Sequence, residues 1–582
     1  MARGRGAAAL WAVALGAAAI PTAAGADPAG AKPFVVSVLG GGDALSIADA
    51  LARAPEGTPI VVRTGTYRES LVISRAVDLR ADGGDPKDVV VEGTRGPALR
   101  STADGVSVKG MTLRVRKAAD AAPEAAVVVG SGAAVLDGCV IASDAGYGVL
   151  ARSANAKPRL VGCRVVGAPQ DCVSVQDGAA VTLESCAVEG AKANGIGVYS
   201  GSSVQGKEVT ISGCAQEGVA VFEGATLRLE GGRIRDNGAR GVVAVNPKTS
   251  VVLQNVVFEA GRGNAVLIAG GAQLEAVGCE VSGHAKSGFL LQGEGTRGVL
   301  RSCRIHHNKG SGILFEAKSS GLVEDGDVAS NVMVGIEVRE GSNVVIRRTK
   351  VHHQVTGADL ACHDPSTTRV EDCELFAGKV TELWAWDGAT VDVRGTKFHD
   401  GTENGLLVEL KAKVTLADVD VSKFKQCGVL ADTEGHVEAE RSALHDCKWG
   451  LGLTGAAVAL LTACDVSANS EYSVTVSGKA QLTMNGGKVR DGEKGGLYFE
   501  KDGGGTLTAV EISKNKGPGI YILGGAPTVR ECKIRKNTGA GVRVERDGGG
   551  TFEKCDLADN LGGAWALEDP SRVVRKGNRP AK

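Results

Sequence analysis

The sequence predicts an all-β fold: a single-stranded right-handed parallel β-helix of about 20 coils, with three short strands per coil and an N-terminal capping helix. Three observations predict it. One short residue pattern recurs along the chain. The 582 residues exceed what a single compact core usually holds. The apolar content is 43% but the aromatic content only 4%, which suits narrow layers of Ala, Val, Leu and Ile.

The repeat is clearest in two segments. Cys303-Arg304-Ile305, Asn308 and Gly312-Ile313 recur as Cys532-Lys533-Ile534, Asn537 and Gly541-Val542. The Cys303 site can be followed from 139 to 555 through nineteen units, every step being 22, 23 or 24 residues. Each unit carries three alternating runs, such as Val414 to Leu416, Val419 to Val421 and Val429 to Ala431. Alternation with period two means strands with one buried face. So short a unit has no room for a crossover helix, so coils must pair with coils. At ~4.8 Å per coil the rod is on the order of 100 Å long.

Each column has an expected role. Cys fills the tracked inward site at 139, 163, 186, 279, 303, 373, 464, 532 and 555. Parallel Cβ vectors there disfavour disulfides; Cys172, Cys214 and Cys447, off the column, are the better bridge candidates. Asn237, Asn308, Asn331, Asn469, Asn515, Asn537 and Asn560 form a turn column, expected to tolerate left-handed backbone and to bond neighbouring coils. Gly at 241, 312, 335, 519 and 541 is expected to serve a backbone bend.

The chain divides by the same logic. Residues 1–26 carry Arg3 and Arg5, an apolar run and Ala24-Gly25-Ala26, the pattern of a signal peptide. Residues 27–57 are a linker and cap helix, with Ser46 and Asp49 as the capping pair. The β-helix spans 58–567, and 568–582 is a basic tail. Export is therefore expected, to the periplasm, the cell surface or the medium. No later stretch is long and apolar enough for stable membrane insertion. With 66 basic and 67 acidic residues, the charge balance argues against nucleic acid.

Ala54-Pro55-Glu56-Gly57-Thr58, Gly65-x-Tyr67-x-Glu69 and Leu71-Val72-Ile73 resemble the opening of pectin-lyase-like β-helix proteins. These include pectin methylesterases and periplasmic β-helix proteins of copper-site maturation. The later coils resemble the generic β-helix repeat. The resemblance implies the fold but no particular activity. The methylesterase Asp pair and Arg have no counterpart here. Cys362-His363-Asp364-Pro365 is similar to the Asp-Pro-His element of alginate epimerases, but in the wrong order.

Function is expected on the outside, because the interior is packed. One outward column is read as Glu337, Asp359, Trp384, Leu407 and Leu430, and the next as Glu316, Arg339, Trp386, Glu409 and Asp432. Trp384 and Trp386 would be platforms for sugar rings, and Glu337, Asp359, Glu409 and Asp432 acceptors for hydroxyls. Tyr199, Phe222, Tyr498 and Tyr521 fall on the same strand face. The ligand is thus an extended one, a polysaccharide or cell-surface glycan. The alternatives are a polysaccharide lyase or carbohydrate esterase on the same face, and a non-catalytic adhesive scaffold. His306, His352, His399 and His445 recur in every second coil, about 10 Å apart, too far to share a metal. No metal, no cofactor and a monomer are expected.

Overall fold

The computed structural model describes residues 32–117 and 124–580. The expected signal segment lies outside the described residues. Within them the chain is a right-handed parallel β-helix of 65 short strands. One sheet contains 22 strands, one per coil, so the coil count slightly exceeds the expected twenty.

A single coil shows the construction. Lys413–Ala417, Asp420–Ser422 and Cys427–Ala431 pair in parallel with His436–Glu440, Ala443–His445 and Trp449–Leu453 of the next coil. The inward residues Leu416, Val421 and Val429 are 1%, 0% and 0% exposed. Each such side chain stabilises the fold by roughly 1.5–3 kcal/mol. In two coils the first two strands merge, as Ser203–Ser212 and Thr226–Arg235.

The corner between first and second strands needs one left-handed residue per coil. Gly138, Gly162, Ser185, Asp325 and Asp418 supply it, at φ of 58°, 57°, 51°, 54° and 56°. The tracked Cys column follows directly. Each thiol points at backbone carbonyls, as Cys163 Sγ does at Leu136 O, 3.3 Å away. All fourteen cysteines are free and buried. The off-column Cys172, Cys214 and Cys447 are therefore not bridged, contrary to expectation.

The Asn column bonds coil to coil as expected. Asn308 donates both its backbone N–H (3.1 Å) and its Nδ2 (3.0 Å) to Asn331 Oδ1. The left-handed residue is the one before the Asn, such as His307 at φ 56° or Lys536 at 58°. The Gly column serves close approach rather than a bend: a Cβ on Gly312 would stand 2.6 Å from Gly335 O and 2.8 Å from Asn331 Nδ2.

The N-terminal end is closed by the chain itself. Ile47–Arg53 is helical, and Ser46 Oγ accepts from Asp49 N–H at 3.1 Å. Glu69, part of the opening motif, accepts from Ile47 and Ala48 N–H at 2.8 Å each. The segment before the helix already forms a strand, Phe34–Val36, paired with Ile60–Val62. The expected tail likewise continues the solenoid. Val573–Lys576 pairs with Gly550–Glu553, and Asn578 accepts from Cys555 N–H at 2.8 Å. Among the described residues no helix is long and apolar enough to cross a membrane.

Candidate ligand-binding face

The third strands of successive coils make a sheet whose outer surface carries side-chain columns in register. The central column runs Leu314, Glu337, Ala361, Trp384, Leu407, Leu430 and Gly452, each paired with the next. The column after it contains Glu316, Arg339, His363, Trp386, Glu409 and Asp432. Here Arg339, His363, Trp386, Glu409 and Asp432 N–H each bond a carbonyl of the preceding coil's strand.

Five of the six candidate residues thus share this surface. Asp359 does not. It is fully buried and stands in the glycine column, where Ile336 N–H bonds its carbonyl. Ala361 takes its outward place. The cause is one extra residue in the turn: Gly335 lies four residues after Asn331, Asp359 five after Gln354. His363, met in the sequence only as part of the epimerase-like Cys362-His363-Asp364-Pro365 element, joins this face from the same long coil.

At one end Glu337 is held on three sides. Ser311 Oγ donates to it at 2.9 Å, Arg339 Nη1 at 3.3 Å, and His363 Nε2 lies 3.4 Å away. Burial acts to raise its pKa, but the His363 and Ser311 hydrogen bonds and the Arg339 charge prevail and hold it below the usual carboxylate range. Glu337 is thus engaged by Ser311, Arg339 and His363 at once. His363 Nδ1 meets Asp364 Oδ2 at 2.9 Å, so both ring nitrogens face carboxylates. Its ring lies flat on Trp386, 4.1 Å between centroids and 9° between planes. Trp386 leans in turn on Trp384 at 4.5 Å and 40°.

Beyond the tryptophans stand Glu409 and Asp432, half-buried in adjacent coils. Burial first, then the Asp432 charge, pushes the Glu409 carboxyl up. Neither makes a salt bridge among the described residues. The central column then falls to Gly452 and Thr475 and rises again at Tyr498 and Tyr521. A depression of about 620 Å³ lies there.

The histidine column on the other sheet is paired with carboxylates. His306, His352 and His399 each place Nε2 near a carboxylate of the preceding coil, Glu280, Asp327 and Glu374, at 3.2, 2.9 and 3.1 Å. Among the described residues no group of three His, Cys, Asp or Glu side chains is placed to hold a metal ion.

A family model described as "Right handed beta helix region" matches residues 147–298, 278–398, 366–488 and 427–579. No curated protein matches the chain. Several solved structures are similar in coil architecture. The periplasmic alginate epimerase AlgG is 14% identical over 56% of this chain and 77% of its own, with a TM-score of 0.35. The structure of the Vag8–C1 inhibitor complex contains a chain 16% identical over 84% of this chain and 100% of its own, at 0.41. The Azotobacter vinelandii mannuronan C-5 epimerase AlgE4 A-module is 11% identical over 65% and 90%, at 0.23. None is similar enough to transfer a site residue.

Proposed function

The chain belongs to the right-handed β-helix family, and on that scaffold we propose that its third-strand face binds an extended polysaccharide. What supports this is the alignment of Trp384 and Trp386 with the carboxylates of Glu409 and Asp432, in register along the rod. Indole rings pack on the apolar faces of sugars, and half-buried carboxylates accept from sugar hydroxyls. Glycan units would run along the rod axis and meet one coil after another. Binding rather than turnover is favoured by His363, the one imidazole on this face, whose two nitrogens are both engaged. A histidine acting as a general base needs a free nitrogen within reach of substrate.

The mature chain, on this proposal, begins near Asp27 and works as an exported monomer. The test is retention of the purified mature protein in gels cast with individual polysaccharides. At least one polymer should retard it, and Trp384→Ala with Trp386→Ala should abolish the retardation. Unchanged retention in that double variant would remove the binding role from this face.

A further inference from the structure

The depression beyond the tryptophans is bounded on every side by identified residues. Its floor is Gly452 and Thr475, the smallest side chains in the central column between Leu430 and Tyr498. Those two larger residues close the column at either end. Trp449 and Tyr472 form one wall, and Thr454, Ser477 and Glu500 the other.

The aromatic wall is fixed in place before any ligand arrives. Tyr472 lies across Gly495, where a Cβ would stand 2.4 Å from its ring. It stacks on Tyr498 at 5.0 Å, and Tyr498 stacks on Tyr521 at 5.2 Å. The Arg543 guanidinium covers the last ring at 5.2 Å. A ligand would therefore meet ring edges and hydroxyls here, and the face of the Trp449 indole opposite the Lys448 ammonium, which lies 4.2 Å from the ring centroid.

The polar lining is close to neutral. Lys494 and Glu471 offset one another at 2.6 Å. Asn404 Oδ1 accepts from Cys427 N–H at 3.0 Å, leaving its NH₂ to donate elsewhere. Gln426, Thr454, Thr475 and Ser477 add amides and hydroxyls. Glu500 is the one lining charge without a salt bridge among the described residues.

We propose that this depression is a second binding site, for one or two uncharged sugar rings at a chain end or branch. The volume lies within the range of small-ligand sites, roughly 300–1,000 Å³. A hydroxyl-rich ring matches the amide and hydroxyl lining, and its apolar face matches Trp449. Glu500 accepts from hydroxyls but repels a carboxylate or phosphate. A polymer running along the rod would have to climb over Leu430 and Tyr498, so the site takes a terminus and not a continuous strand. It stands whether or not the tryptophan pair holds a chain.

The test is titration of the full-length mature protein with maltose, cellobiose and lactose, and with a disaccharide carrying one glucuronate, followed by saturation-transfer NMR and calorimetry. At least one neutral disaccharide should bind, and the glucuronate analogue at least tenfold more weakly. Thr475→Phe, which fills the depression from a side chain already present, should abolish binding. Glu500→Gln, isosteric and at the surface, should narrow the neutral-to-uronate gap to under threefold. Trp384→Ala with Trp386→Ala should leave disaccharide binding intact, which separates this site from the polymer-binding face. The proposal is overturned if no neutral disaccharide binds, if the uronate binds as tightly, or if both single variants bind like the parent.

Discussion

Glu382 and Gly401 compete for one slot in the turn. A Cβ on Gly401 would stand 2.3 Å from Glu382 Oε1. Elsewhere the occupancy is reversed: Gly312 lacks the Cβ and Asn331 of the next coil fills the space. Where the glycine column instead carries Asp359, Glu382 or Ser473, the Asn column of the next coil carries Gly378, Gly401 or Gly492. A Cβ on Gly492 would meet Ser473 Oγ at 2.9 Å. Glu382 even takes over the ladder's bonding, since its Oε1 accepts from Gly378 N–H at 3.0 Å.

The exchange predicts coupling. Gly401→Ala should destabilise the parent chain, because its Cβ meets the buried Glu382 carboxyl and the Phe424 ring. In a Glu382→Gly background the same change should cost less, leaving only the 2.4 Å approach to Phe424 Cε1 to be relieved. A double-mutant cycle by denaturant unfolding should give a coupling of about 1–3 kcal/mol. Additive effects would mean the slot is not shared.

Asp359 and Glu382 should make the fold sensitive to alkali. Both are fully buried. Burial, then the Asp359 charge, pushes Glu382 up to about 10, and burial pushes Asp359 well above the usual range. A carboxyl with a higher pKa folded than unfolded holds its proton more tightly in the fold. Its contribution is full below the unfolded value of about 4 and is lost as pH climbs toward the folded one. The melting midpoint should therefore fall between pH 5 and pH 9. Glu382→Gln, which keeps the acceptor for Gly378, should flatten the decline and raise the midpoint at pH 8. An unchanged slope would show that these acids do not govern it.

Asn331 holds the turn ladder together at one rung. Its Oδ1 accepts two bonds from Asn308, and its Nδ2 donates to Ile305 O at 3.2 Å. Asn331→Ala leaves the Asn308 N–H buried without an acceptor, which costs about 1–3 kcal/mol. Amide exchange should rise at Asn308 and its neighbours while distant coils stay protected.

The fourteen thiols should be silent in the native state. Burial pushes Cys362 and Cys427 up to about 12, so neither is a thiolate at pH 8; hydrogen bonds from stacked thiols pull Cys139, Cys279 and Cys555 down, but these too are buried away from a reagent. A colorimetric thiol reagent should count none of the fourteen within minutes on native protein, and all of them in guanidinium. A fast-reacting thiol in native protein would point to an opened coil.

The coil register was readable because a solenoid repeats its contacts: one column of small residues sets the direction of every other side chain. The site was readable only where that register held. Counting 22 residues from Glu337 lands on Asp359 and passes over His363, yet the tracked column itself steps by 24 from Thr349 to Cys373. That longer step was the available signal. The depression at Gly452 left no such trace, because an emptied position in a glycine-rich chain of 84 glycines looks like any other. Nor does a burial pattern reveal that a glycine is there to make room for a side chain one coil away.

The shared slot has a bearing on how such a rod can lengthen. Its two occupants lie nineteen residues apart, at Glu382 and Gly401, so almost any cut within a coil parts one such couple. Inserting a copied coil with an Asn turn directly after Glu382 would force an amide into space already taken. Coils are thus not freely interchangeable beads. Duplication or grafting should succeed only where the incoming junction restores one large and one small partner, which makes the seam between coils, rather than the coil, the heritable part.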